Sequence, residues 1–156
     1  MQSNSQIKVG LVQIGNDFGG QYYLPYSIGL LQAYSQKNLR NPKEFVFMLP
    51  IYKRIKVDEA INYLLDDDIV FFSTYLWNFR ISVEIARGIK KRKKECIIVF
   101  GGPKVPESSG EIEIFLEEHP FIDIGCYGEG ETPFLKILEN TKERLWENVP
   151  SIGFIY

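Results

Sequence analysis

Histidine is almost missing from this sequence: His119 is the only one in 156 residues. Cysteine is scarce as well. Cys96 and Cys126 lie far apart, each bordering an apolar run, which excludes a disulfide framework and a paired-cysteine metal site. Neither sign of charge is in excess, with 18 Lys and Arg against 20 Asp and Glu. A net charge of −2 gives no general attraction to nucleic acid or to an acidic membrane, and neither is expected as a partner. No apolar stretch approaches the ~20 residues needed to span a bilayer. Met1 to Gln6 is polar and lacks an apolar signal core, so the expected compartment is the cytoplasm. No internal repeat or low-complexity segment appears.

What is present is an ordinary apolar content with many aromatics, enough for a proper core in one domain spanning residues 1–156. Short β-rich runs alternate with helical patterns. The organising stretch is Asp68 to Pro103. Ile69-Val70-Phe71-Phe72 stops at Ser73-Thr74, one amphipathic helix follows, and Ile97-Ile98-Val99-Phe100 stops at Gly101-Gly102-Pro103. That spacing reads as a right-handed βαβ unit with parallel strands.

The rest extends the pattern. Ile7–Ile14 is a first strand, and Gly15 to Gly20 a turn-rich loop. Pro25 suits the first turn of a helix carrying Ile28, Leu31 and Tyr34. Phe45 to Leu49 is a second strand closed by Pro50. Asp58 is expected to cap a helix with Ile61, Leu64 and Leu65 on one face. Ile81, Ile85 and Ile89 form a stripe that should lie on the sheet. The basic run Lys90 to Lys94 after it reads as a solvated helix end. Ser108 and Glu111 fit a capping box before Ile112, Phe115 and Leu116. Phe121–Cys126 is a fifth strand, and Pro133 starts a fifth helix. Ser151 to Tyr156 reads as a short last strand or as a linker beginning near residue 150. Together these predict an α/β three-layer sandwich around a parallel five-stranded sheet, flavodoxin-like or Rossmann-like. The strand order is two-one-three-four-five with a possible sixth strand.

In such a sheet ligands sit beyond the carboxyl ends of the strands. Flavin mononucleotide fits poorly there. The loop Asn16-Asp17-Phe18-Gly19-Gly20 would meet a phosphate with a carboxylate and no hydroxyl. A dinucleotide fits poorly too, since no Gly-x-Gly-x-x-Gly opens the first helix. A phosphorylated receiver fails on geometry, because Asp66-Asp67-Asp68 precedes the third strand while Ser73 ends it.

Four pieces at that edge carry a resemblance. They are Leu24-Pro25-Tyr26-Ser27-Ile28-Gly29-Leu30-Leu31, Ser73-Thr74-Tyr75-Leu76-Trp77-Asn78, Val99-Phe100-Gly101-Gly102-Pro103 and Gly128-Glu129-Gly130-Glu131-Thr132-Pro133-Phe134. In this order, over nearly the whole chain, they resemble the cobalamin-binding domain found at the N-terminus of many radical S-adenosylmethionine enzymes. The resemblance implies a cobalamin held by Asn16 and Asp17, by Ser73 to Asn78, by Gly101 to Pro103 and by Gly128 to Thr132. A broad flat corrin needs glycine edges to lie against and polar groups for its amide arms. Its nucleotide tail would run down between strands.

Methionine-synthase-like domains place an Asp-x-His-x-x-Gly loop after the first strand, and this sequence has no histidine there. The implied state is therefore His-off, with Tyr75, Leu76, Trp77 and Asn78 nearest the lower face of cobalt. His119 is expected at the far edge, as a surface or capping residue. No Cys-x-x-x-Cys-x-x-Cys run is present, so the iron–sulfur cluster and S-adenosylmethionine would belong to a radical barrel domain elsewhere in the same polypeptide or in a partner. No catalytic residue and no protein metal ligand is assigned to this chain.

The alternative is a domain that keeps the fold, has lost the ligand, and docks or orients a substrate. Each feature also has a plain structural reading. Gly101-Gly102-Pro103 can be a tight turn, Ser73 and Thr74 can cap a helix or satisfy a strand carbonyl, and Trp77 can be core. Glu129 and Glu131 can simply favour a helix N-terminus.

Overall fold

The computed structural model describes residues 5–155; the start of the polar lead, Met1–Asn4, and the last residue of the expected final strand, Tyr156, lie outside the described residues. Among the described residues eight strands are formed: β1 (Ile7–Val12), β2 (Asp17–Phe18), β3 (Gln21–Tyr22), β4 (Phe45–Phe47), β5 (Ile69–Ser73), β6 (Ile97–Gly101), β7 (Ile124–Cys126) and β8 (Ile152–Phe154). The α-helices are α1 (Tyr26–Asn38), α2 (Val57–Leu64), α3 (Phe79–Arg92), α4 (Ser109–Glu118) and α5 (Glu131–Asn140).

Six strands make one sheet in the order β4-β1-β5-β6-β7-β8. The first five are parallel, and β8 runs antiparallel to β7. Apart from the β2–β3 hairpin, this is the expected two-one-three-four-five order with a sixth strand at the edge. Residues 152–154, near the expected start of a linker, belong to the sheet.

Side chains alternate across the strands and so feed two cores. Val70, Phe72, Ile98 and Phe100 pack under α2, α3 and α4 with Ile61, Leu64, Ile85, Ile89, Phe115 and Leu116. Val9, Leu11, Phe71, Val99 and Ile124 pack under α1 and α5 with Ile28, Phe134, Ile137 and Leu138. Burial on both faces explains why β5 and β6 read as continuous apolar runs. Ile85 and Ile89 are fully buried and Ile81 packs beside them, as their spacing requires.

Several local readings are corrected. Asp58 caps nothing: α2 starts from Lys56 with no side-chain cap, and Asp58, one residue inside, meets Arg92 at 3.3 Å. Pro25 precedes α1 rather than lying within its first turn. The helix is capped instead from the residue after β1, where Gln13 Oε1 accepts the Ile28 N–H. The fifth helix begins at Glu131, and Pro133 sits third, where its missing N–H is still one that a helix start leaves unpaired. Phe121 and Ile122 are buried in the core but precede the strand. The basic end of α3 is only partly solvated. Lys90 folds back onto Asp123 at 2.7 Å and the Cys96 carbonyl, and Lys93 donates to the Asp67 carbonyl. The Ser108–Glu111 pair does cap α4, although the carboxylate takes the Ser108 hydroxyl at 2.6 Å. No helix of the described residues is long and apolar enough to cross a membrane.

Candidate functional site

Parallel strands bring the loops after β1, β5, β6 and β7 to one edge. Two of these loops are pressed together. The Thr74 N–H and hydroxyl both donate to the Gly101 carbonyl at 2.8 Å. Gly102 has φ +91, and a Cβ there would stand 2.7 Å from the Thr74 carbonyl oxygen. Only glycine permits both that dihedral and that approach. The Thr74 hydroxyl, expected to face a ligand, is thus spent inside the chain, and Thr74 is fully buried.

Asn78 is likewise turned inward. Its Oδ1 accepts the Tyr75 N–H at 2.7 Å, and its Nδ2 donates to the carbonyls of Ile14 and Ser73. One buried amide therefore ties the end of the first strand to the loop after β5. Asn78→Ala would strand those three groups, at a cost of about 2–3 kcal/mol. The expected result is a lower midpoint in urea unfolding with an unchanged slope.

Between these fixed ends the loop projects outward. Tyr75 and Trp77 stack with ring centroids 4.6 Å apart and an 11° tilt, and the Tyr75 and Ser27 hydroxyls lie 2.8 Å apart. Leu76 is 83% exposed and Trp77 52%, so Trp77 is not core.

Behind the rim lies a narrow slot of about 60 Å³ on the α1–α5 side. Its mouth is Ser73, Gly101, Gly102, Gly128 and Gly130, and its walls are Ile28, Leu31, Phe71, Val99, Cys126 and Phe134. Gly128 has open space where a side chain would stand. The sequence pattern marked the glycine mouth; the apolar walls, although readable as core positions, carried no signal of lining a slot.

Beside the slot, the loop after β1 is a β2–β3 hairpin instead of an irregular turn. Gly19 and Gly20, at φ +61 and +83, form its two-residue bend. A hollow of about 250 Å³ runs between Asn16, Phe18, Tyr23, Leu24, Pro25 and Trp77. Phe18, Tyr23, Leu24 and Tyr26 are mostly exposed. Asn16 reaches this hollow, whereas Asp17 is exposed within the hairpin. Pro103 and Glu129 are exposed beside the slot, Glu131 sits in the first turn of α5, and Thr132 is exposed next to it.

A larger hollow of about 370 Å³ lies at the opposite edge, by Asp68, Lys93, Lys142 and Arg144. Its cations already serve the Asp67 carbonyl, Glu44 and the Glu95 carbonyl. It has no glycine mouth and no flat apolar wall.

His119 ends α4, with Nδ1 2.7 Å from the Phe115 carbonyl and its ring among Phe79, Phe115 and Phe121. It is half-buried rather than superficial. Those rings are on the α2–α4 side, so the sheet itself separates His119 from the slot. Burial pushes the Cys126 thiol up to about 12, which keeps it protonated and unavailable as a thiolate ligand. Among the described residues no group of three or more His, Cys, Asp or Glu is placed to hold a metal ion.

No protein-family model matches the chain. It is 34% identical over 116 residues to the cobalamin-dependent radical SAM methyltransferase TokK of Streptomyces tokunonensis. It is 35% identical over 116 residues to the 2-(S-pantetheinyl)-carbapenam-3-carboxylate methyltransferase of Streptantibioticus cattleyicolor. Each match takes in 74% of this chain and 17% of the relative, so the similarity spans about a sixth of those enzymes. The fold is that of part of the cobalamin-dependent S-adenosylmethionine radical enzyme OxsB. The structure with aqua-cobalamin and S-adenosylmethionine bound superposes with a TM-score of 0.74 at 22% identity, over 98% of this chain and 21% of that one. The apo form gives 0.68 at 23%, over the same shares.

Proposed function

We propose that this chain, a homologue of part of a cobalamin-dependent radical SAM methyltransferase, is a cobalamin-binding module with no histidine beneath the cobalt. The observation that carries the reading is the open slot. Its glycine mouth leads down into apolar space, and the chain's own aromatic rings flank the opening without filling it.

The residues present fit the group. Gly101, Gly102, Gly128 and Gly130 leave the backbone bare where a flat ring system would rest. At about 60 Å³ the slot is smaller than the aromatic base of a nucleotide tail, so its walls on α1 and α5 would have to part to take that end of the cofactor. Ser73 supplies a polar group at the slot and Asn16 one in the neighbouring hollow, while Thr74 and Asn78 act one step behind by fixing the loops. Tyr75, Leu76 and Trp77 would meet the lower face with bulk instead of a nitrogen donor. Bound there, the cofactor would supply methyl transfer or a related rearrangement. The partner would be a radical SAM domain, in the same polypeptide or associated with it, that holds the iron–sulfur cluster and S-adenosylmethionine. The exposed side chains of Phe18, Tyr23, Leu24 and Tyr26 form the surface that cofactor and partner would cover.

The test is direct. The purified chain is mixed with hydroxocobalamin and desalted, and its visible spectrum is recorded. Retained corrinoid absorbance is expected, and a colourless protein would favour a fold that only docks or orients. Electron paramagnetic resonance of the reduced, bound corrinoid is expected to lack nitrogen coupling; a nitrogen-ligated signal would sink the His-off assignment.

A further inference from the structure

We propose that Tyr75 is a positioning residue: its hydroxyl, moored to Ser27, fixes the height at which the Tyr75–Trp77 loop meets the lower face of the cofactor. This rests on the corrinoid reading above. A loop that leaves a strand and projects into solvent has few contacts to hold it and opens readily. Here its base is rigid, because Asn78 ties it to Ile14 and Ser73. Its tip is Leu76, which is 83% exposed.

The Tyr75 backbone is held from within the loop, its N–H by Asn78 Oδ1 at 2.7 Å and its carbonyl by the Phe79 N–H at 3.0 Å, and two hydrogen bonds reach the loop from other parts of the chain. Arg54 Nη2 donates to the Trp77 carbonyl at 3.3 Å, from a long exposed side chain. The other is shorter and half-buried: the Tyr75 hydroxyl stands 2.8 Å from the Ser27 hydroxyl, in the first turn of α1. The Trp77 ring lies flat on the Tyr75 ring, so whatever fixes Tyr75 fixes Trp77. A rigid shelf keeps water from the lower face, whereas a swinging one admits it. With the Tyr75 backbone fixed by Asn78 and Phe79, the hydrogen bond to Ser27, 48 residues earlier in the chain, sets where the Tyr75 ring lies.

Tyr75→Phe and Ser27→Ala each remove one end of that bond and leave the stacked rings in place. In the apo chain, acrylamide quenching of Trp77 emission is followed, with the buried Trp146 contribution taken from Trp77→Phe. The quenching constant should rise about two-fold in either variant and no further in the double variant, since the two ends form one interaction. Loaded with hydroxocobalamin, both variants should shift the visible spectrum equally toward that of the free cofactor. Their retention should fall by less than about ten-fold. Wild-type quenching or a wild-type spectrum in Tyr75→Phe, while the wild-type chain retains the cofactor, would overturn the mooring alone. A wild-type chain that is itself colourless after desalting defeats the corrinoid reading, and the proposal with it.

Discussion

Gly101→Leu is expected to abolish retention of hydroxocobalamin while leaving the sheet intact. By strand alternation Gly101 faces the same side as Ile97 and Val99, toward α1 and α5, and it borders the slot. A Cβ built there meets only Cys126, its Cβ at 3.6 Å and its carbonyl oxygen at 3.9 Å, both ordinary contacts, so the backbone need not move. The slot itself holds about 60 Å³. That is room for roughly two water molecules, and an isobutyl group would fill it. A leucine there also gains apolar contact with Phe71 and Phe134 and lowers the entropy of the unfolded chain, so stability should change by less than about 1 kcal/mol. Gly102 would not separate the two effects, because any side chain there collides with the Thr74 backbone and strains the fold as well. The measurements are circular dichroism with thermal unfolding, and corrinoid absorbance after desalting. A folded variant that holds the cofactor like wild type would show that the slot is not where it binds.

The second large effect is on stability and concerns Asp67. Its carboxylate folds over Gly10 of β1, where a side chain at residue 10 would collide with it, and the residue is 1% exposed. Neither carboxylate oxygen has a hydrogen-bond partner. Burial raises the pKa from 3.8 to about 6; Lys8 and Lys93 pull it part of the way back, and Asp68 and Asp66 push it up. Below about pH 3.8 the group is protonated in both states and costs nothing. Between 3.8 and 6 the unfolded chain releases the proton first, so this group's contribution falls as pH rises. Above 6 the full penalty stands, at most about 3 kcal/mol for a shift of roughly two units. Asp67→Asn should therefore be more stable than wild type by about 1–3 kcal/mol at pH 8, with the difference closing toward pH 4. Urea unfolding of both proteins across that range reads it. A constant difference at every pH would show that the carboxylate is not buried as a charge.

The sheet order was readable because its causes are local. Parallel strands buried on both faces must be apolar runs, and Ile69 to Phe72 and Ile97 to Phe100 are such runs. The glycine mouth was readable because Gly101-Gly102 and Gly128-Glu129-Gly130 sit where strands end. The hairpin at Asp17–Tyr22 was only a turn in the sequence, since strands of two residues carry no period. Asp58 looked like a cap because its residue type is right, but the chain enters α2 two residues earlier. Lys90 and Lys93 looked solvated within a run of five cations, and only the approach of Asp123 and Asp67 turns them inward.

The sequence by itself determined which segments form the parallel strands, that their carboxyl ends share one edge, and that the loops after the first, third, fourth and fifth strands carry no histidine. Those follow from apolar periodicity, chain direction and composition, which act over a few residues at a time. Only the tertiary structure decided which polar groups are free. Thr74 and Asn78 bond to carbonyls 27 and 64 residues away, while Ser73 and Gly101 border the slot. It also decided that Trp77 stands in solvent on Tyr75 and that His119 lies across the sheet. Hydrogen-bond satisfaction and burial depend on what arrives from distant parts of the chain, and no local pattern records that.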